Sequence, residues 1–315
     1  MPHNTCIAVD ACCDLPDEFI RKHNIRVLPI YLKFGGATHM DNRDAEKSID
    51  FYRKGMLEKS FDAETSPVSA EEMSSILEQE LVTQYDKVLA ITIMNSRSRV
   101  YENIRDAVWV SQPKFKALRK ASGLDGRFRI QVTDSNNLFT GQALLTYEAV
   151  RMLKKESANI ESIIGRLEVL KNRVHTYMIP QDLYHLKNRA GNRGDKSDNT
   201  LNWLTYNVGK TLNIKPIVLG HQGETKPVDK SIGFGAGLEK IFKSAKRAIQ
   251  QGLGVNAICM SYSGDLSEIK KEKSYLKFVD YARSHGIHTL LSVMSTTAAI
   301  NVGPGCFSLS YAESE

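Results

Sequence analysis

Leu89-Ala90-Ile91-Thr92-Ile93-Met94-Asn95-Ser96-Arg97-Ser98-Arg99-Val100-Tyr101-Glu102-Asn103-Ile104 decides how this chain is read. Its first part is apolar, β-branched and of strand length, and residues 104–109 repeat apolar side chains at helical spacing. A strand therefore feeds a helix through a short polar turn. Backbone N–H groups at a helix start lack partners, and here two serines, an asparagine and two arginines stand where a negative group would be welcome. Two readings stay open: Asn95 or Ser96 caps the helix, or the turn receives an anion.

The same step recurs on either side. Cys6-Ile7-Ala8-Val9 is a short strand ending in Asp10, and Asp14 precedes a helix with Pro16 in its first turn. Residues 27–34 read as one strand closed by Gly35-Gly36, with Pro29 placing part of it at an edge. A helical region starts at 41–44 and runs through Tyr52. Residues 61–69 read as a polar loop. Ser69-x-x-Glu72 fits a capping box for a helix over 70–82, which leaves Thr65 and Ser66 free to face a ligand. The helix after the opening strand is expected to continue to about Val110. A fourth strand at 127–133 is broken by Asp134-Ser135-Asn136-Asn137, and a helix follows over 138–155. Strands alternating with helices predict an α/β fold with a parallel, helix-covered sheet in three layers. Ligands gather beyond the carboxyl ends of such strands, where Asp10, Asn95-Ser96 and Asp134-Ser135 fall.

The polar interruption at 154–159 predicts a boundary between an N-terminal α/β domain, residues 1–157, and a second α/β domain, residues 158–315. In the second, strands are expected at 176–180, 214–219, 224–228, 256–262, 289–294 and 307–311. Helices are expected at 160–173, 183–187, 202–211, 238–251 and 267–285, with a polar surface loop over 188–199.

Composition narrows the function. The 315 residues are 42% hydrophobic with a net charge of +6, and the basic residues are spread along the chain without interleaved aromatics, which argues against nucleic acid. No window approaches the roughly 18 apolar residues of a membrane span, and the first residues lack a charged start followed by an apolar signal core. A cytoplasmic protein is expected. Five cysteines, the only close pair being adjacent Cys12 and Cys13, suggest neither disulfides nor a metal set. The eight histidines show no metal-ligand spacing, and no Gly-x-Ser-x-Gly elbow accompanies them. Gly233-Phe234-Gly235-Ala236-Gly237 falls short of the dinucleotide fingerprint, and no Walker lysine occurs. No cofactor, metal or catalytic residue is expected. Gly303-Pro304-Gly305 is a tight turn whose neighbours Asn301 and Cys306 are placed to face an interdomain cleft.

Taken in order, these marks resemble the DegV family of fatty-acid-binding proteins over nearly the whole chain. The resemblance is carried by Val9-Asp10-Ala11-Cys12-Cys13-Asp14-Leu15-Pro16, by Val27-Leu28-Pro29 with Gly35-Gly36 and Asp41, and by Val132-Thr133-Asp134-Ser135 with Gly141. It continues through Asp182-Leu183-x-x-Leu186, Leu212-Asn213-Ile214-Lys215-Pro216-Ile217, Pro227-Val228-x-Lys230 and Gly303-Pro304-Gly305. It implies a DegV-like fold: a parallel-sheet N-terminal domain and a second α/β domain with a mixed sheet, the ligand lying between them. It further implies a long-chain fatty acid buried in an interdomain tunnel, its carboxylate presented to a separate fatty acid kinase that supplies the nucleotide site.

The sequence departs from the family at the head-group end. The family's Thr-Ser-Gln-Pro-Ser is here Thr65-Ser66-Pro67-Val68-Ser69, and its Ser-Ser-Gly-Leu-Ser-Gly-Thr-Tyr aligns with Met94-Asn95-Ser96-Arg97-Ser98-Arg99-Val100-Tyr101. The usual histidine before Gly-Pro-Gly is Asn301. The expected ligand-binding set is Thr65, Ser66, Asn95, Ser96, Arg97, Ser98, Arg99, Asn301 and Gly303. The rival expectation is an enzyme acting on a small anionic metabolite at the strand-end cluster of Asp10, Asp134 and Arg99.

Overall fold

The computed structural model describes residues 5–59, 63–154, 158–181, 185 and 213–314. Apart from His185, the expected helices at 183–187 and 202–211, the loop at 188–199 and the Asp182-Leu183-x-x-Leu186 segment lie outside the described residues. Residues 155–157, on one side of the expected domain boundary, lie outside them too.

The first half contributes β1 (Thr5–Asp10), β2 (Arg26–Leu28), β3 (Ile30–Phe34), β4 (Ala37–Asp41), β5 (Glu64–Pro67), β6 (Lys87–Thr92) and β7 (Arg129–Asp134). A parallel sheet forms in the order β2-β1-β6-β7, as the alternating pattern predicts. The single strand expected over 27–34 is instead two. Pro29 carries no N–H and interrupts the ladder, so β2 stays in the parallel sheet while β3 leaves it to pair antiparallel with β4 and β5. Ser66 and Thr65 consequently lie on β5, opposite Tyr31 and Leu32, rather than in an open loop.

The second half contributes β8 (Val174–Ile179), β9 (Ile214–His221), β10 (Glu224–Ile232), β11 (Ala257–Tyr262), β12 (His288–Val293) and β13 (Phe307–Ala312). They form a mixed sheet in the order β10-β9-β8-β13-β11-β12, with β11 and β12 parallel and the other pairs antiparallel.

Several helices differ in extent from their sequence signals. Val100–Ala121 continues well past Val110 and through Pro113, because Val100, Ile104, Ala107, Ser111, Phe115 and Arg119 keep one stripe buried. Phe234–Gln251 begins at Phe234, so Gly235 and Gly237 belong to its first turn. The helix expected over 267–285 breaks at Glu272, whose extended backbone separates Leu266–Lys271 from Lys273–Ser284. A further short helix, Thr296–Val302, starts from the Ser295 cap.

Helix Thr140–Leu153 lies between the two large sheets and touches β1 and β6 on one side and β8, β11 and β13 on the other. Its first turn approaches so closely that a Cβ on Gly141 would sit 2.1 Å from Asn137 Oδ1 and 2.3 Å from Thr176 Oγ. Side chains alternate across the parallel sheet. Ile7, Val9, Leu89 and Ile91 share this helix's core with Val174, Ala257, Cys259 and Ala312. Ala8 and Ala90 join a second core that contains Leu28, Ile30, Leu32, Met94, Met178, Val218, Ala298, Ala299, Ile300 and Val302.

One buried cation ties the halves together. Arg43 is 3% exposed, and its guanidinium donates to the carbonyls of Cys13 (3.0 Å), Leu15 (2.7 Å) and Val293 at the end of β12 (2.8 Å). Asp14 and Asp17 lie 3.9 and 3.6 Å away. Asp14 accepts from Ser261 Oγ (2.6 Å) and the Ser295 N–H (3.0 Å), and Asp41 from the Thr297 N–H (2.8 Å) and Oγ (2.6 Å). Removing one partner of such a knot strands the rest without water. Arg43→Met is expected to lower the unfolding free energy by about 3–5 kcal/mol, and Arg43→Lys to recover little because an ammonium cannot span three carbonyls. Chemical denaturation measures both; a loss under about 1 kcal/mol for Arg43→Met would place the junction's strength elsewhere.

Candidate functional site

The carboxyl ends of β1, β6 and β7 do converge, and the backbone takes up most of the acidity there. Asp10 is fully buried, with Oδ1 accepting from the Cys12 N–H (2.9 Å) and Oδ2 from the Ile93 N–H (2.6 Å) and Gln142 Nε2 (3.2 Å). Asp134 accepts from the N–H groups of Asn136 (2.9 Å) and Asn95 (3.1 Å). These aspartates shape the turns after their strands, as Asx turns do.

The 95–99 turn does not serve as a side-chain cap. Helix Val100–Ala121 has Arg99 at its N-cap without a side-chain cap bond, so Asn95 and Ser96 do not cap it. The turn is braced by the β9–β10 hairpin: Ser96 Oγ donates to the Gly223 carbonyl (2.6 Å), Arg97 to the Thr225 hydroxyl, and the Gly223 N–H to the Asn136 carbonyl (2.8 Å). Arg99 Nε and Asn95 Nδ2 both donate to Glu102, at 2.8 and 3.3 Å. Asn95 Oδ1 is buried without a hydrogen-bond partner among the described residues. Ser98, three residues on, is half-buried. The sequence signal identified donors; tertiary contacts engage most of them.

A second polar group forms where β5 meets helix Thr296–Val302. Asn301 Nδ2 donates to the Thr297 carbonyl (2.8 Å) and lies 3.4 Å from Thr65 Oγ. Two residues separated by most of the chain are thus adjacent. Ser66 follows Thr65 on β5, and Asn103 in the first turn of Val100–Ala121 donates to the Val68 carbonyl (2.8 Å), linking this group to the 95–99 turn. Gly303 ends the short helix with φ +91°, and a Cβ there would stand 2.7 Å from the His185 ring. Only glycine accepts that backbone and that approach without strain.

Sequence reasoning passed over Asp14, Asp41, Arg43, Ser295 and Thr297 as interacting groups. Residues 41–44 looked like a helix start alone, although Ser295-Thr296-Thr297 before Ala298-Ala299-Ile300 carries a visible capping signal. Among the described residues no cluster of His, Cys, Asp and Glu could hold a metal ion. Among them, too, no helix is long and apolar enough to cross a membrane.

The geometry is that of an α/β protein with two large sheets and a small three-stranded one, in which polar turns border an apolar cluster shared by both halves. A model of the DegV family of uncharacterised proteins matches residues 4–314, and the chain belongs to that family. A DegV domain-containing protein of Xanthomonas axonopodis pv. citri is 37% identical over 306 residues, which cover 97% of this chain and 96% of that protein. Among solved structures, DegV of Bacillus subtilis, a fatty acid binding protein, matches the fold with a TM-score of 0.75 at 19% identity, covering 99% of this chain and all of that one. A stearic acid-binding protein of Eubacterium ventriosum matches with a TM-score of 0.74 at 20% identity, covering 98% and 97%.

Burial pushes the Asp10 carboxyl up to about 6, against the N–H donors of Ile93, Cys12 and Gln142. Asp14 is likewise raised to about 6 by burial, against Arg43, Ser261 and the Ser295 N–H. An acid whose folded pKa exceeds its unfolded value near 4 contributes stability that is fully present below about pH 4 and lost as pH rises through about 6. His175, held at about 4 by burial and by neighbouring His221, slopes the opposite way over the same interval. The readout is therefore the difference between the parent and Asp10→Asn. The variant is expected to lack the part of the stability decline between pH 4 and 6 that Asp10 contributes, and carboxyl NMR of the parent to give an Asp10 midpoint near 6. A midpoint at or below 4 would mean that the three donors outweigh burial. Gly303→Ala is expected to destabilise by about 1–3 kcal/mol through its left-handed backbone and the His185 contact, as thermal unfolding would register.

Proposed function

We propose that this chain is a lipid-binding protein, without catalytic activity of its own, that sequesters one long-chain fatty acid in a tunnel between its N-terminal domain (residues 1–157) and its C-terminal domain (158–315). The observation that carries the reading is DegV-family membership across residues 4–314, joined to a fold shared with fatty-acid-binding proteins of B. subtilis and E. ventriosum. The composition of the second apolar core supports a path for the acyl chain. Its small residues Ala8 and Ala90 come from the parallel sheet and Ala298 and Ala299 from the short helix, the short side chains that an acyl path through this core requires. A chain of about 16 carbons entering such a core gains roughly 0.8 kcal/mol per methylene. A few polar groups then need only fix the head.

In this reading the carboxylate lies against Thr65 and Asn301, with Ser66, Ser98 and Gly303 lining the approach. Asn95, Ser96, Arg97 and Arg99 form the wall of the head-group end, the arginines adding a positive field. The protein works in the cytoplasm and presents the carboxylate to a separate kinase, which supplies the nucleotide. The rival reading, an enzyme for a small anionic metabolite, finds little support in the chemistry. Asp10, Asp134 and Arg99 are each engaged by protein groups.

Gently denaturing mass spectrometry of the purified chain is expected to release one long-chain fatty acid, and Thr65→Val to weaken fatty-acid binding by about tenfold or more through loss of a hydrogen bond to a charged group. Absence of any co-purified lipid, together with absence of saturable fatty-acid binding, would end this reading.

A further inference from the structure

Helix Val100–Ala121 presents to solvent a face that its own core does not explain. Trp109 is 84% exposed and Val110 72%, the two most exposed large apolar side chains of the described first half. Around them the surface is cationic. At helical spacing, Arg105 stands one turn before Trp109, Lys116 two turns after it and Lys120 three, while Lys114 stands one turn after Val110; all are exposed. Gln112 on the same helix lines a surface cleft of about 310 Å³ with Lys87, Arg127 and Arg129. The acidic groups nearby are Asp106 on the helix, Asp125 beyond its end, Asp86 paired with Arg119, Glu161 in the cleft, and Glu78, bound to Ser74 beside Ser111. Glu102, at the helix start, is already paired with Arg99.

We propose that this face docks onto an anionic lipid bilayer, Trp109 and Val110 entering the headgroup layer while the flanking lysines and arginines pair with lipid phosphates. The chemistry selects a bilayer over an acidic protein. A protein interface of ordinary size needs about 800 Å² per side with an apolar centre and is poor in lysine. Here two isolated apolar side chains rise from a lysine-rich surround. Tryptophan with lysine and arginine is the pattern of the membrane interface, where an indole sits at headgroup level and long cationic side chains reach the phosphates. The chain's net charge of +6 adds a long-range attraction of the same sign. The proposal is independent of fatty-acid binding, because it concerns the outer surface of the helix.

The test is sedimentation of the full chain with vesicles of phosphatidylcholine alone, and with about one third phosphatidylglycerol, both free of fatty acid. Binding to the anionic vesicles only is expected, with a blue shift of tryptophan emission that Trp109→Ala removes; Trp203 is the other tryptophan. Trp109→Ala is expected to lower partitioning by about tenfold, and Lys116→Glu with Lys120→Glu by about a hundredfold or more. The altered side chains are exposed, and circular dichroism verifies that each variant is folded. No binding to anionic vesicles, equal binding of the parent and Trp109→Ala, or equal binding to both compositions overturns the proposal.

Discussion

A buried guanidinium needs acceptors and counter-charges close by or costs several kcal/mol, and at Arg43 that need, met by three carbonyls at Nε and Nη2 and by Asp17 3.6 Å from Nη1, ties together much of the molecule. Its carbonyl partners come from the turn after β1 and from the end of β12. The carboxylates beside it are themselves bound by residues of the opposite half: Asp14 by Ser261 and Ser295, Asp41 by Thr297. The bonds to Val293, Ser261, Ser295 and Thr297 form only when both halves stand in register. The knot therefore specifies how the halves meet, while helix Thr140–Leu153, buried between them, supplies the apolar area.

The same junction positions the candidate site. Asp41, which ends β4, holds the first turn of helix Thr296–Val302, and that helix brings Asn301 to Thr65 on β5. The three-stranded sheet thus serves as a bracket between the parallel sheet and the short helix. On the other flank, the β9–β10 hairpin reaches back to the 95–99 turn through Gly223 and Thr225. The polar turns after β1, β6 and β7 are each held by an element of the second half. A ligand lying between them would touch groups whose positions depend on both.

The departures in this chain acquire a physical meaning in that frame. Where the family pattern has small hydroxyl residues after β6, this chain has Asn95, Arg97 and Arg99, which donate to Glu102, Asp134 and Thr225. Thr65 and Asn301 carry the polar contact that crosses the cluster. In the proposed reading, the head group is accordingly held more by β5 and the short helix than by the strand-to-helix turn.

Local order was legible from the residues themselves. Alternating apolar runs and helical stripes determined the parallel sheet, and Ser69-x-x-Glu72 the capping box that the structure contains. The ordered punctuation from Asp10 to Gly303-Pro304-Gly305 identified the family. These are short-range properties, set by backbone geometry, side-chain period and turn chemistry over a few residues. Tertiary structure alone decided that Pro29 divides one apolar run between two sheets, that Arg43 is an internal cation and not a solvated one, and that Thr65 meets Asn301. Each of those depends on partners hundreds of residues away or on a strand leaving its sheet. No local pattern encodes such a pairing, because burial and hydrogen-bond satisfaction are settled only when the whole chain has packed.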